Sequence, residues 1–122
     1  MARTAVTPAQ GTRNAGVAPT ATTIDSTLVT NGVVIASAHV EHLVIRVANT
    51  HAATQNVIIR AGDNIYPAWM KGQGDLTVQL AASTGVEEIS GLDSARFKQS
   101  DGSLHIDFDA GTTGTLETYY RP

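Results

Sequence analysis

The chain of 122 residues contains no cysteine. Disulfides, thiolate metal sites and a cysteine nucleophile are therefore excluded. Aromatic residues supply only 5% of the chain, with a single tryptophan. The hydrophobic fraction is 42%, but 17 of those residues are alanine, so large core-forming side chains are few. A modest core in a Thr- and Gly-rich chain of this length suits one thin β domain, steadied by partners. No apolar run approaches the roughly 18–20 residues that a membrane span requires. The amino terminus lacks the basic-then-apolar order of a secretory signal. The sequence thus predicts a soluble protein with no membrane contact. Acidic residues are missing from positions 1–24, where Arg3 and Arg13 give a charge of +2. The remainder sets six Lys or Arg against eleven Asp or Glu, a charge of −5. An acidic body repels phosphate, so direct nucleic-acid binding is not expected.

What the chain does have is period-two alternation. Two apolar runs, Leu43–Val47 and Val57–Ala61, flank the polar segment Asn49–Gln55. Leu43, Ile45 and Val47 point one way, and Val57, Ile59 and Ala61 can join them. β-Branched residues dominate both runs, which favours a pleated, half-buried surface. The stretch from Glu41 to Arg60 reads as a long hairpin at the centre of the domain. Its other face mixes His42, Arg46 and Arg60 with Val44 and Ile58. Apolar side chains on an outer face predict a contact with another chain. Thr27–Thr30 and Val33–Ala36 flank Asn31-Gly32, which reads as a second, two-residue hairpin turn. Leu76–Leu80, Val86–Ser90, Ser103–Phe108 and Thr115–Tyr120 read as further strands. Glu87 and Glu88 suit an edge strand, and Gly91–Lys98 carries a short helical turn. The fold class expected is all-β: a small β-sandwich or jelly-roll-like domain of seven to eight short strands. Residues 24–122 form that domain, and residues 1–23 form an extended amino-terminal arm, either loose or docked on a neighbouring subunit.

Chemistry-bearing groups are scattered. His105, Asp107 and Asp109 share one face of a strand, yet same-face neighbours stand about 6.5–7 Å apart along a strand. That spacing is wide for one ion, and a solvated polar face accounts for all three. The four histidines lack any metal-binding spacing, the serines lack a nucleophile elbow, and Glu87 and Glu88 face opposite sides of their strand. No enzyme, metal or cofactor is expected. The long loop after Arg60 carries Tyr66, Trp69 and Met70, which either plug one end of the sandwich or form a contact knob.

Two segments, RAGDNIYPAWMKGQGDLTVQLAAS and EISGLDSARFKQSDGSLHIDFDAGTTGT, carry a resemblance. The AGDN…GQGDL pair and the ARF…DGSLHIDF run are its centre, within about residues 41–120. In them the chain resembles small head proteins of tailed double-stranded-DNA bacteriophages, the capsid decoration or cement proteins. The resemblance implies a non-enzymatic virion protein on the outer surface of the capsid. Its partners would be the major capsid protein and further copies of itself, commonly as trimers, and it would reinforce the junctions between capsid subunits. Arg3 and Arg13 of the arm, Val44 and Ile58 of the outer face, and Tyr66, Trp69 and Met70 of the loop are the expected interface. Rival readings are a head–tail joining or tail protein of the virion, and a carbohydrate-binding β-sandwich with Tyr66 and Trp69 as its platform.

Overall fold

Strands form where aliphatic side chains alternate with polar ones, because only a pleated backbone buries every second residue. The computed structural model describes residues 2–36, 38–62 and 74–122. Its strands are β1 (Thr4–Ala5), β2 (Ala9–Gln10), β3 (Thr20–Ile24), β4 (Val33–Ile35), β5 (Leu43–Asn49), β6 (Gln55–Ile59), β7 (Leu76–Leu80), β8 (Val86–Ile89), β9 (Leu104–Phe108) and β10 (Gly114–Tyr120). Among the described residues helix is confined to α1 (Ser26–Asn31), α2 (Ser94–Phe97) and a 3-10 turn at Val40–His42. Two mixed sheets result. Sheet A runs β1-β4-β9-β6-β7, and sheet B runs β2-β10-β5-β8, with β3 also paired to β10. The chain is a small all-β, sandwich-like domain.

The core is one contiguous cluster between the sheets. Sheet B contributes Leu43, Ile45, Val47 and Leu116, and sheet A contributes Val33, Ile35, Val57, Ile59, Leu104 and Ile106, all with no exposed surface. Leu76 and Val78 pack against the cluster from β7 while remaining partly exposed.

The central stretch is not a hairpin. β5 pairs with β10 and β8, whereas β6 pairs with β7 and β9. The runs on either side of Asn49–Gln55 therefore face each other across the core. Period two fixes which side chains point inward, and it is silent on whether two strands share a sheet. The intervening segment makes the crossing by burying two amides. Asn49 donates through Nδ2 to the Ala53 and Ala81 carbonyls (3.2 and 3.0 Å) and accepts from the His51 N–H (3.0 Å). The Gln55 Oε1 accepts from the Thr112 hydroxyl at 3.1 Å.

The turn expected at Asn31-Gly32 is instead a helix terminus. Asp25 caps α1 by accepting the Leu28 N–H at 2.9 Å. Gly32 ends the helix at φ 76°, returning its own N–H to the Leu28 carbonyl at 2.8 Å. An Asp-Ser start and a glycine stop outweigh the β-branched content between them.

Residues 2–24 lie along both sheets. β1 runs parallel to β4, β2 runs parallel to β10, and β3 pairs antiparallel with β10 over five residues. Val6 and Ile24 are buried, at 6% and 1% exposure. The boundary expected after Thr23 falls inside β3. Among the described residues there are ten strands, three of them from this segment, while the strand expected at Thr27–Thr30 lies in α1.

Candidate functional surface

The outer face of sheet A carries a chain of charges. Asp107 alternates outward from β9 between the buried Ile106 and Phe108. Arg3 grips it with two nitrogens, Nη1 to Oδ1 at 2.7 Å and Nη2 to Oδ2 at 3.2 Å. Arg3 Nη1 also reaches the Ile106 carbonyl at 3.3 Å. Arg60, just beyond β6, donates from Nε to Asp107 Oδ2 and from Nη1 to Asp75 Oδ2, the latter at 2.8 Å. The sequence Arg3–Asp107–Arg60–Asp75 thus links the amino terminus, β9, β6 and the start of β7. Burial works against the Asp107 charge, but the two guanidiniums outweigh it and hold its carboxyl below the ordinary carboxylate range. The Ala61 N–H, foremost, does the same for Asp75, and the Asp107 hydrogen bond raises Arg60 further. Gly32 leaves the space this pair occupies, since a Cβ there would collide with Arg3 Nη1 and Asp107 Oδ1.

A second set of bonds gathers the described parts of the segments that carried the resemblance. Asp75 Oδ1 accepts the Ala61 N–H at 2.6 Å. The Gly62 N–H donates to the Arg96 carbonyl at 2.7 Å, and Gln99 Nε2 donates to the Ala61 carbonyl at 3.1 Å. Arg96 lies 4.7 Å over the Phe97 ring and donates to the Gly74 carbonyl at 3.1 Å. Residues 61–62, 74–75 and 96–99 are consequently one knot, joined to β9 through Arg60 and Asp107. Nearby, Asp101 accepts from both the hydroxyl and the N–H of Ser103 (2.6 and 3.0 Å), which draws its carboxyl below its usual range.

Of the polar face expected on β9, Asp107 is the centre of the ion-pair chain. Asp109 accepts the Asn56 N–H at 2.9 Å, and His105 lies 3.3 Å from the Ser103 hydroxyl. Among the described residues no group of three His, Asp or Glu is placed to hold a metal ion. A cleft of about 310 Å3 opens at the end of sheet B, lined by Gln10, His39, His42, Tyr120, Arg121 and Pro122. His39 stacks edge-on against Tyr120 at 5.7 Å, and Arg121 is tied to the Glu41 carbonyl at 2.9 Å. No described helix is long and apolar enough to cross a membrane.

The described residues among those expected at an interface, Arg3, Arg13, Val44 and Ile58, do not form one patch. Arg3 is committed to Asp107, while Arg13 is exposed in the turn after β2. Val44 lies on the outer face of sheet B opposite Tyr119, yet only 3% of it is exposed. Ile58 lies half-buried on the outer face of sheet A, between Thr77 and Asp107 in register. The two aliphatics therefore belong to opposite faces of the sandwich and cannot form the single patch that a shared hairpin would give. Tyr66, Trp69 and Met70 lie outside the described residues. Among the described residues Val86, at 44%, is the one large apolar side chain left exposed. Sequence reasoning missed Asp75, Arg60 and Asp107 as a set, because their partners are distant along the chain. No family model matches the chain, and comparison with the curated proteins and with the solved structures finds no match.

Proposed function

We propose that this chain is a structural virion protein, a capsid decoration or cement protein of a tailed double-stranded-DNA bacteriophage. It binds the outer surface of the assembled head, contacts the major capsid protein and stabilises the junctions between its subunits. The observation that carries the reading is the knot formed by residues 61–62, 74–75, 96–99 and 107. Residues 61–62 of the AGDN segment and 74–75 of the GQGDL segment meet the ARF and DGSLHIDF segments there, and their charges and amides serve to fasten strands. A clamp requires a stiff body rather than reactive groups, and the ion-pair chain supplies cross-links between four separated parts of the sequence. A protein that binds only the assembled lattice stabilises that lattice by mass action. Repeated weak contacts over many equivalent sites raise the effect further. The acidic body, formal charge −5 beyond residue 24, fits an outer position away from packaged DNA.

The experiment is co-sedimentation of the purified chain with heads built from the phage's major capsid protein, before and after expansion, followed by heating. The proposal expects saturable binding to expanded heads, no binding to free capsid subunits, and later heat rupture of decorated heads. Failure to bind heads, or equal binding to unassembled subunits, overturns it.

A further inference from the structure

The two sides of the sandwich are closed differently. On one side residues 2–24 pass from sheet A to sheet B and occupy both margins. On the other, β7 ends sheet A and β8 ends sheet B. Unpaired strand margins are templates for pairing with another chain, and proteins that avoid such pairing place charges on them. β8 follows that rule: Glu87 and Glu88 are both exposed. Glu87 even shares the core side of the sheet with its register partner Val47, an inward-pointing charge on a margin. β7 has no such guard. Its five residues, Leu76-Thr77-Val78-Gln79-Leu80, contain no charge and no proline.

The backbone of β7 is aligned for pairing. The Arg60 N–H donates to the His105 carbonyl, and the Asp109 N–H donates to the Asn56 carbonyl. Even-numbered residues of β6 therefore direct their backbone groups at β9, and Gln55, Val57 and Ile59 direct theirs at β7. Their register partners Leu80, Val78 and Leu76 are turned inward to β6. Thr77 and Gln79 then direct both N–H and C=O at the open side, where no described strand pairs with them.

The same five residues read alike in both directions by character: apolar, polar, apolar, polar, apolar. We infer that β7 is a two-fold interface at which it pairs antiparallel with β7 of a second copy, about an axis through Val78. In that register Thr77 lies opposite Gln79 of the second copy, and the two hydrogen-bonded pairs exchange about four backbone bonds. Leu76 lies opposite Leu80 of the second copy, and Val78 lies opposite its own equivalent. The partly exposed Leu76 and Val78 gain cover on the core side, while Thr77 and Gln79 stay in water. A one-residue slip would set the apolar row of one copy beside the polar row of the other. No like charges meet within the strands, and the nearest carboxylate, Asp75, is already held by Arg60 at 2.8 Å. The contact is isologous, so it closes on itself and limits what would otherwise be open-ended edge pairing. It is a pairwise contact, separate from a threefold cluster, and on a shell it would link neighbouring clusters.

Sedimentation velocity of the full chain over a concentration series tests this without any capsid. The expected result is a reversible dimer in the wild type and at least tenfold weaker association in Thr77→Pro and Gln79→Pro. Proline is tolerated where the N–H faces outward from a margin, and circular dichroism melts establish that each variant is folded. Because the chain has no cysteine of its own, single-cysteine variants supply a second readout independent of the prolines. Val78→Cys should give a covalent dimer on oxidation, since non-hydrogen-bonded pairs stand about 4.5 Å apart at Cα. Thr77→Cys should not, since its equivalent in the second copy lies two positions out of register. A monomer at all concentrations, self-association unaffected by either folded proline variant, or cross-linking by Thr77→Cys as efficient as by Val78→Cys would overturn the inference. Those outcomes leave the capsid-binding reading untouched, just as failed head binding leaves this one untouched.

Discussion

Replacing Asp107 by asparagine keeps the shape of the side chain and removes its charge, which isolates the ion-pair chain as a source of stability. The side chains of Asp107 and Arg3 are 18% and 24% exposed. That places the pair between a surface ion pair, about 0–1 kcal/mol, and a buried one, where losing a partner costs about 3–5 kcal/mol. Arg60 keeps Asp75 after the change, so one arginine and not two loses its counter-charge. A loss of about 1.5 kcal/mol follows from that position on the scale. With an unfolding entropy of about 2.1 cal/mol/K per residue over this chain, Tm should fall by about 6 °C. The pH dependence has a definite sign. The folded carboxyl titrates below its unfolded value, so its stabilisation is fully present above the unfolded pKa of about 3.9. It is lost as pH falls through the lower folded value. Differential scanning calorimetry of parent and Asp107→Asn should therefore show a constant gap from pH 5 to 8 that narrows below about pH 4. Arg3→Gln should lower Tm comparably, and the double variant should fall well short of the sum. A variant that melts with the parent at neutral pH, or a gap that stays undiminished in acid, would refute the reasoning.

Three further outcomes follow from buried polar groups and from the amino terminus. Asn49→Ala removes three hydrogen bonds at a position 1% exposed and leaves the Ala53 and Ala81 carbonyls and the His51 N–H without that partner; urea unfolding should show a loss of about 3 kcal/mol, and a loss under about 1 would mean that the neighbours re-pair. Thr118 is fully buried with no bond to its hydroxyl among the described residues, so Thr118→Val should raise Tm by about 4 °C, from about 1 kcal/mol of relieved desolvation; a lowered Tm would imply a partner for that hydroxyl. Deleting residues 2–24 strips β3 from β10 along five paired positions and uncovers the core over Val6 and Ile24. The truncated chain should lose its cooperative melt, and a sharp unfolding transition in it would show that the segment is dispensable to the body.

Much of the core was legible in the sequence because alternation is a local property. Leu104, Ile106 and Phe108 are buried on β9, and Leu116 and Tyr120 are buried on β10, as period two requires. The helical turn before Phe97 and the charged margin at Glu87-Glu88 were legible for the same reason. What sequence could not supply is partnership. Leu43–Asn49 and Gln55–Ile59 look like the arms of a hairpin, and only the pairing of each with distant strands places them in separate sheets. The amino-terminal segment lacks a strong pattern, because short ladders and one buried valine hold its first residues without requiring periodicity. The Asn31-Gly32 pair reads as a turn, and the cap that Asp25 makes with the Leu28 N–H is what shows Gly32 to be a helix stop. The ion-pair chain joins positions 3, 60, 75 and 107, and no spacing rule reaches across such separations.

The central claim is that this chain clasps an assembled shell. If the proposed virion role holds, cryo-electron microscopy of tailed-phage particles assembled with this chain is the deciding measurement. The account predicts density for the two-sheet domain on the outer surface of the head, repeated at lattice positions over the whole shell. Copies confined to the portal vertex or the tail, or a shell surface bare of the domain, would contradict it.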